Sequence, residues 1–442
     1  MKRFFALLLL GLLLGLSGCV IRSPEELYTP PKQSDVYNDL QSAIDGVMGE
    51  GAQYSSPLSG TNRQPVQMSD LDGDGQEEAV VFLKTGGELP LKAYVFDRIG
   101  RSFRNVFVIE GDGSAFARVE YAQLDGKPGQ EIVIGRQLNG QVLQSVGAYS
   151  FADGQLTELL NSSYSELAIA DVDGDGNRDL FLMRFVSEGR SGIAELYRCA
   201  AGETEREPEL SLSVGIGSVR NIQVGNLTEN IPAVFVAGVL PDASIITDVF
   251  CFLNGEFTCI SSAGILGLHA QAVRGYNVYA SDIDGDGVVE LPEVLPLAAA
   301  GTEEEAYYLI RWKEYRPEEQ TMTVKQTTYH HYSGGWYLRI PERLGTALTV
   351  TRSKAVSGIQ GLTFGTAPQE EQPGEELFTV YAFTGGNRAA LASSEGRFQL
   401  SARSDTCYAA MLGPGAERFG LTQTELTAMF QFIRVDWNSG ET

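Results

Sequence analysis

One acidic pattern occurs three times in this 442-residue chain, and a pattern repeated at a distance implies a modular fold. Asp70, Asp72, Asp74 and Glu78 occupy positions one, three, five and nine of the first copy. Asp171, Asp173, Asp175 and Asp179 do so in the second, and Asp282, Asp284, Asp286 and Glu290 in the third. Gly75, Gly176 and Gly287 fall at position six each time. Two worn copies lie between, one from Gln123 through Asp125 and Lys127 to Glu131, the other around Asn226 and Thr228. Five copies recur about every 50 residues, a period typical of propeller blades rather than of most helical repeats.

The segments around the loops read as strands. Pro65 to Met68 leads into the first loop and Glu78 to Leu83 follows it, with alternating runs at Lys92 to Phe96 and Phe103 to Ile109. Four short strands per unit, separated by Gly, Asp and Asn turns, make one blade. The unbroken apolar runs Ala79 to Leu83, Ile132 to Ile134, Leu180 to Met183 and Ala233 to Ala237 suit strands buried on both faces. The fold expected is mainly β: a β-propeller of about five blades or more over residues 51–334, then a small α+β domain over 335–442. In that last part Thr422 and Glu425 form a capping box before Leu426, Met429, Phe430 and Ile433 at helical spacing.

The loop spacing has a chemical reason. Calcium takes roughly six to eight hard oxygen ligands. Carboxylates at one, three and five wrap one side of the ion. Glycine at six allows the sharp turn that brings in the position-seven carbonyls of Gln76, Asn177 and Val288, and the carboxylate at nine closes the shell. Three structural Ca²⁺ sites are therefore expected. In the first worn copy Lys127 replaces an aspartate, and its ammonium is expected to supply the charge an ion would bring; the second, with Asn226 and Thr228, should hold no metal. A helical calcium loop fits poorly, because Pro292 and Pro296 follow the third copy and Val81 and Leu182 stand at position twelve of the others. On this reading Asp173→Ala should lower the melting temperature more than Asp125→Ala.

These residues resemble the FG-GAP or VCBS repeat family, whose calcium loops lie between the strands of propeller blades, as in integrin α-chains. The resemblance covers residues 60–300 or so and is specific for calcium rather than for an activity. The family's Phe-Gly and Gly-Ala-Pro signatures are absent from the repeats.

The N-terminus gives an address. Lys2 and Arg3 precede an apolar run from Phe4 to Leu16 that ends in Ser17, Gly18 and Cys19. This resembles a bacterial lipoprotein signal peptide (1–18), cut before a lipidated Cys19. Residues 20–33 read as a spacer, and Val36, Leu40, Ile44 and Val47 mark a helix from about Asp35 to Met48 that closes the 19–50 segment. The expected location is the outer face of the cytoplasmic membrane, periplasmic in a diderm cell. A net charge of -24 argues against nucleic acid as a partner. Cys251 and Cys259 flank a turn at Asn254-Gly255; a two-residue turn would put their thiols on opposite faces, whereas a longer, bulged one would bring them together.

No nucleophile elbow, phosphate loop or zinc-helix motif is present, and His330 and His331, adjacent on a strand, cannot share a metal. His269 stands alone. Trp336 and Tyr337 read as core rather than as a binding groove. Two functions are compatible with this pattern. One is a non-enzymatic binding or scaffold module for a wall polymer or protein partner. The other is a polysaccharide-active enzyme with catalytic residues dispersed over the propeller loops.

Overall fold

The computed structural model describes residues 35–138, 144–152, 154–185, 191–200, 203–213, 216–261, 273–299, 307–317, 319, 321–345, 348–353, 358–368 and 374–433. The apolar leader, Cys19, the spacer and His269 lie outside them. Among the described residues no helix is long and apolar enough to cross a membrane.

The chain is mainly β, built as successive antiparallel sheets. The first sheet runs Val66–Ser69, Glu78–Lys84, Leu91–Ile99 and Ser102–Gly111. The second runs Ala115–Ala122, Glu131–Gln137, Gln144–Ala152 and Gln155–Tyr164. Glu166–Ala170, Asp179–Arg184, Ile193–Ala200 and Glu203–Arg206 make the third. Ser218–Thr228, Ile231–Val239, Ile245–Leu253 and Glu256–Cys259 make the fourth. Each is a meander in which the acidic loop, or its worn relic, joins the first two strands. The register is conserved from sheet to sheet: the residue before the loop pairs with the position-nine carboxylate, as Ser69 with Glu78, Ala122 with Glu131, Ala170 with Asp179 and Ser281 with Glu290.

The sheets stack face to face, and each central strand splits its side chains between two cores because successive residues point to opposite faces. Val80 and Phe82 pack with Ile132 and Ile134 of the second sheet, while Ala79, Val81 and Leu83 face the other way. Leu180 and Leu182 pack toward the second sheet, and Phe181 and Met183 toward Val234 and Val236 of the fourth. Phe235 and Val249 then meet Val289, at the end of the third acidic loop, and Leu291 and Tyr315 beyond it. An apolar run without alternation is therefore what these strands need.

The two ends of the stack are covered by other elements. The helix Asp35–Val47 lays Leu40, Ala43, Ile44 and Val47 on Ala79, Val81, Leu83 and Phe96 of the first sheet, and Asp39 accepts a 2.6 Å bond from the Phe103 amide. At the other end the fifth sheet (Leu291–Pro296, Tyr308–Arg316, Thr321–His331, Trp336–Ile340 and Phe430–Phe432) packs on a sixth through one shared core. In the sixth, Ala298–Ala299, Leu348–Arg352, Ile359–Thr366, Glu376–Thr384, Thr406–Leu412 and Phe398–Ala402 succeed one another in that order across the sheet. Among the described residues no core joins the first sheet to the fifth, and no closed ring is seen.

Two expectations concern this end. The division between residues 334 and 335 falls inside a hairpin, since Tyr329, His330 and His331 pair with Leu338, Tyr337 and Trp336. Trp336, Leu338 and Ile340 pack with Leu348, Phe364 and Leu426, so this face of the fifth sheet is buried by the sixth sheet and the C-terminal helix. That helix spans Gln423–Met429, capped by Thr422, which accepts from the Glu425 amide at 3.2 Å. It stops before Phe430, which enters the fifth sheet opposite Leu338. Pairing with an open strand edge overrides helical spacing there.

Candidate metal centres

Each acidic loop is first organised by its own backbone. The position-one carboxylate accepts from two glycine amides, Gly73 and Gly75 on Asp70 at 2.8 and 3.1 Å. Gly174 and Gly176 bond Asp171 at 2.7 and 3.0 Å, and Gly285 and Gly287 bond Asp282 at 2.7 and 2.9 Å. The position-five carboxylate accepts from the amide two residues on: Gln76, Asn177 or Val288, at 2.7, 2.7 and 2.9 Å. These Asx turns curl the loop so that its oxygens face inward.

The carboxylate at nine lies on the strand, buried beneath the loop, and is fixed by the amide at position two. Leu71 bonds Glu78 at 2.7 Å, Val172 bonds Asp179 at 2.8 Å and Ile283 bonds Glu290 at 3.0 Å. Positions one, three and nine thereby converge. In each of the sets Asp70, Asp72, Glu78; Asp171, Asp173, Asp179; and Asp282, Asp284, Glu290, one oxygen per residue lies within 4.8 Å of the others. Asp74, Asp175 and Asp286 stay outside these sets and keep to their turns. Burial, helped by the neighbouring aspartates, pushes the carboxyls of Glu78, Asp179 and Glu290 up to about 7. An all-oxygen donor set of this kind suits a hard divalent cation. The fit is most direct at Glu290, which is wholly buried and whose Oε1 has no partner.

The worn copies behave differently. At Glu131 the position-nine contact survives, since the Leu124 amide bonds its Oε2 at 2.6 Å. Asp125 is buried, and Lys127 places its Nζ 3.4 Å from Asp125 Oδ2. Ser150 Oγ lies 3.1 Å from the same oxygen and 3.2 Å from Glu131 Oε1. A hydroxyl and an ammonium thus lie against this buried carboxylate pair. Around Asn226 the loop has shrunk to a tight turn, with Thr228 paired to Ile231.

Three further contributors carry no signal in the sequence. Lys325, from the strand Thr321–His331, reaches Asp286 Oδ2 at 2.6 Å and Asp284 Oδ2 at 3.5 Å. Arg198 stands 3.2 Å from Asp173 Oδ2 while also pairing with Glu205 and Glu207. The loops also bond to one another. The position-eight amide of one copy donates to the position-one carbonyl of its predecessor: Gln130 to Asp70 at 2.9 Å, Arg178 to Gln123 at 2.7 Å and Val289 to Asn226 at 2.8 Å. The worn copies thus brace the acidic ones.

The remaining candidates are structural. His330 is buried between Trp312 and Tyr337, while His331 stacks on Trp336 across the same strand. Trp336 and Tyr337 are core residues. Cys251 pairs with Thr258 and Cys259 with Phe250 across an Asn254-Gly255 turn in which both central residues have positive φ. The two thiols lie in different cores and form no disulfide.

No family model matches this chain, and no curated protein matches it. Solved structures similar to it include two rhamnogalacturonan lyases. For the exotype enzyme YesX the identity is 13% over 72% of this chain and 62% of that one, with a TM-score of 0.27. For YesW it is 14% over 73% and 64%, with a TM-score of 0.26. This chain spans less than two thirds of either lyase. A protein from Lactobacillus plantarum is 11% identical over 75% of this chain and 95% of its own, with a TM-score of 0.26. At these TM-scores the likeness carries no argument about function.

Proposed function

We propose that this is an exported lipoprotein, anchored through Cys19, whose calcium-stabilised sheets form a rigid non-enzymatic binding or scaffold module for a wall polymer or protein partner. One observation supports the calcium reading above all: the same three carboxylates converge at the same turn of three different sheets. The sheets are read as blades of the FG-GAP or VCBS kind, with the helix and the sixth sheet covering the faces that a closed ring would join. Asp70, Asp72, Glu78 and their counterparts would hold Ca²⁺, helped by the position-five carboxylates and by the carbonyls of Gln76, Asn177 and Val288. The ion's role would be to neutralise buried charge. Extracellular calcium modules often bind at roughly 10⁻⁴–10⁻³ M, so a loop facing millimolar calcium outside the cell would be filled constitutively.

The test has two parts. Calorimetry on the full chain after chelation should show calcium uptake at three loops, with a higher melting temperature when calcium is restored. Absence of uptake overturns the calcium reading. Capture of a purified wall polymer or a defined envelope protein by the calcium-loaded chain supports the binding role. Turnover of a polysaccharide on a glycan panel would replace it with the enzymatic reading.

A further inference from the structure

The third loop is not equivalent to the first. Among the described residues no lysine or arginine pairs with Asp70, Asp72, Asp74 or Glu78, whereas Lys325 lies over the third loop, 2.6 Å from Asp286 and 3.5 Å from Asp284. Its Nζ is also 3.6 Å from Glu314 Oε2, on the strand Tyr308–Arg316 next to its own. Beneath it the wholly buried Glu290 keeps one oxygen, Oε1, without a partner. The ammonium therefore serves the outer carboxylates at three and five and leaves the inner one at nine unsatisfied. The worn copy is arranged differently. There Lys127 acts together with Ser150, both Glu131 oxygens are bonded, and nothing is left for an ion to satisfy.

We propose that Lys325 is a built-in competitor for the cation at the third loop, holding Asp284 and Asp286 when the loop is empty and passing to Glu314 when a divalent ion is taken up. The inference rests on the calcium reading of the loops. It follows that the third loop fills after the first, whose carboxylates face no such ammonium. Giving up two partly exposed ion pairs and tolerating a like charge nearby corresponds to about a tenfold weaker affinity than the same loop would have without the lysine.

The experiment is a calcium titration of the full chain by calorimetry, after chelation, in wild type, Lys325→Met, Lys325→Gln, Asp282→Asn and Asp171→Asn. Wild type should show a weaker class of site that Asp282→Asn removes. Both lysine variants should tighten that class about tenfold and leave the others unchanged; Lys325→Gln keeps the test open should the methionine variant fold poorly. Three sites whose affinities ignore both substitutions, or a weaker class lost on Asp171→Asn instead, overturn this inference alone. No calcium uptake by wild type overturns the calcium reading and this inference together.

Discussion

Asp125 and Asp173 occupy the same position in their copies, and their surroundings give them opposite roles. The sequence points to Asp173 as the more consequential residue because its loop is intact. For the metal-free protein the surroundings of Asp125 are a reason to expect the opposite order, since its side chain is fully buried and holds both Lys127 and Ser150. Asp125→Ala should cost about 2 kcal/mol, the half-exposed lysine limiting the penalty, with or without calcium. Asp173→Ala should instead abolish one site's calcium-dependent gain, about 1.4 kcal/mol at ten times Kd. Thermal melts in chelator and in calcium separate the two: a calcium-dependent loss in Asp125→Ala would contradict the assignment. His330 gives a pH signature. Burial draws its imidazole from 6.5 down to about 3, between Thr328 Oγ1 at 3.0 Å and the Tyr332 hydroxyl at 3.2 Å. The unfolded chain binds this proton near pH 6.5 and the folded chain only near pH 3. Stability from His330 is thus complete above about 6.5 and lost as pH falls toward 3, by at most about 1.4 kcal/mol per pH unit. The difference in unfolding free energy between wild type and His330→Gln, followed over that window, should show this slope; a flat difference would refute it.

At the scale of elements, the loops form a bonded series rather than independent modules. Gly129 shows how close they lie: its φ is +100° and a Cβ there would stand 2.4 Å from the Leu71 carbonyl oxygen of the preceding loop. Gly73 meets Pro128 in the same way from the other side. Gly129→Ala should therefore cost about 2 kcal/mol or more, from the unfavourable φ and the displaced loop together. It should also weaken calcium uptake at Asp70, Asp72 and Glu78, although residue 129 offers no ligand. Calorimetry showing a normal first site in this variant would mean the loops act separately. At the Cys251–Cys259 hairpin the sequence allowed a two-residue or a bulged turn, and the two-residue turn is the one formed. Asn-Gly accepts the positive φ of a two-residue turn, and period-two pleating then fixes which way each thiol points.

For the whole molecule, the main consequence of stacking is two end faces that must be covered. Ile44 is 2% exposed and seals the first sheet with Leu40 and Val47. Ile44→Asp would bury a carboxylate in that seam, costing about 3 kcal/mol or more. Opening the seam would expose an apolar sheet face, so the variant should also self-associate, detectable by light scattering. A monomer of unchanged stability would show that the helix is dispensable. At the other end the sixth sheet does the same work with a larger core, and for that reason a boundary drawn where the repeat pattern stops cuts through a hairpin.

The sequence by itself indicated the repeat unit, the strands of the first sheet, the second strand of each of the next three and carboxylates at one, three, five and nine. These depend on local chemistry: alternation, glycine turns and ligand spacing. Convergence of one, three and nine alone is a finding of the structure. It also separated the worn copies from the intact ones. Only the tertiary structure decided that the stack is capped rather than seen to close, that Phe430 leaves its helix for a strand edge, and that Lys325 stands over the third loop. Such outcomes depend on which faces and edges remain open after folding, and on side chains arriving from strands far along the chain. The acidic pattern that first marked the chain as modular is thus a set of three chemically similar loops whose differences come from their neighbours.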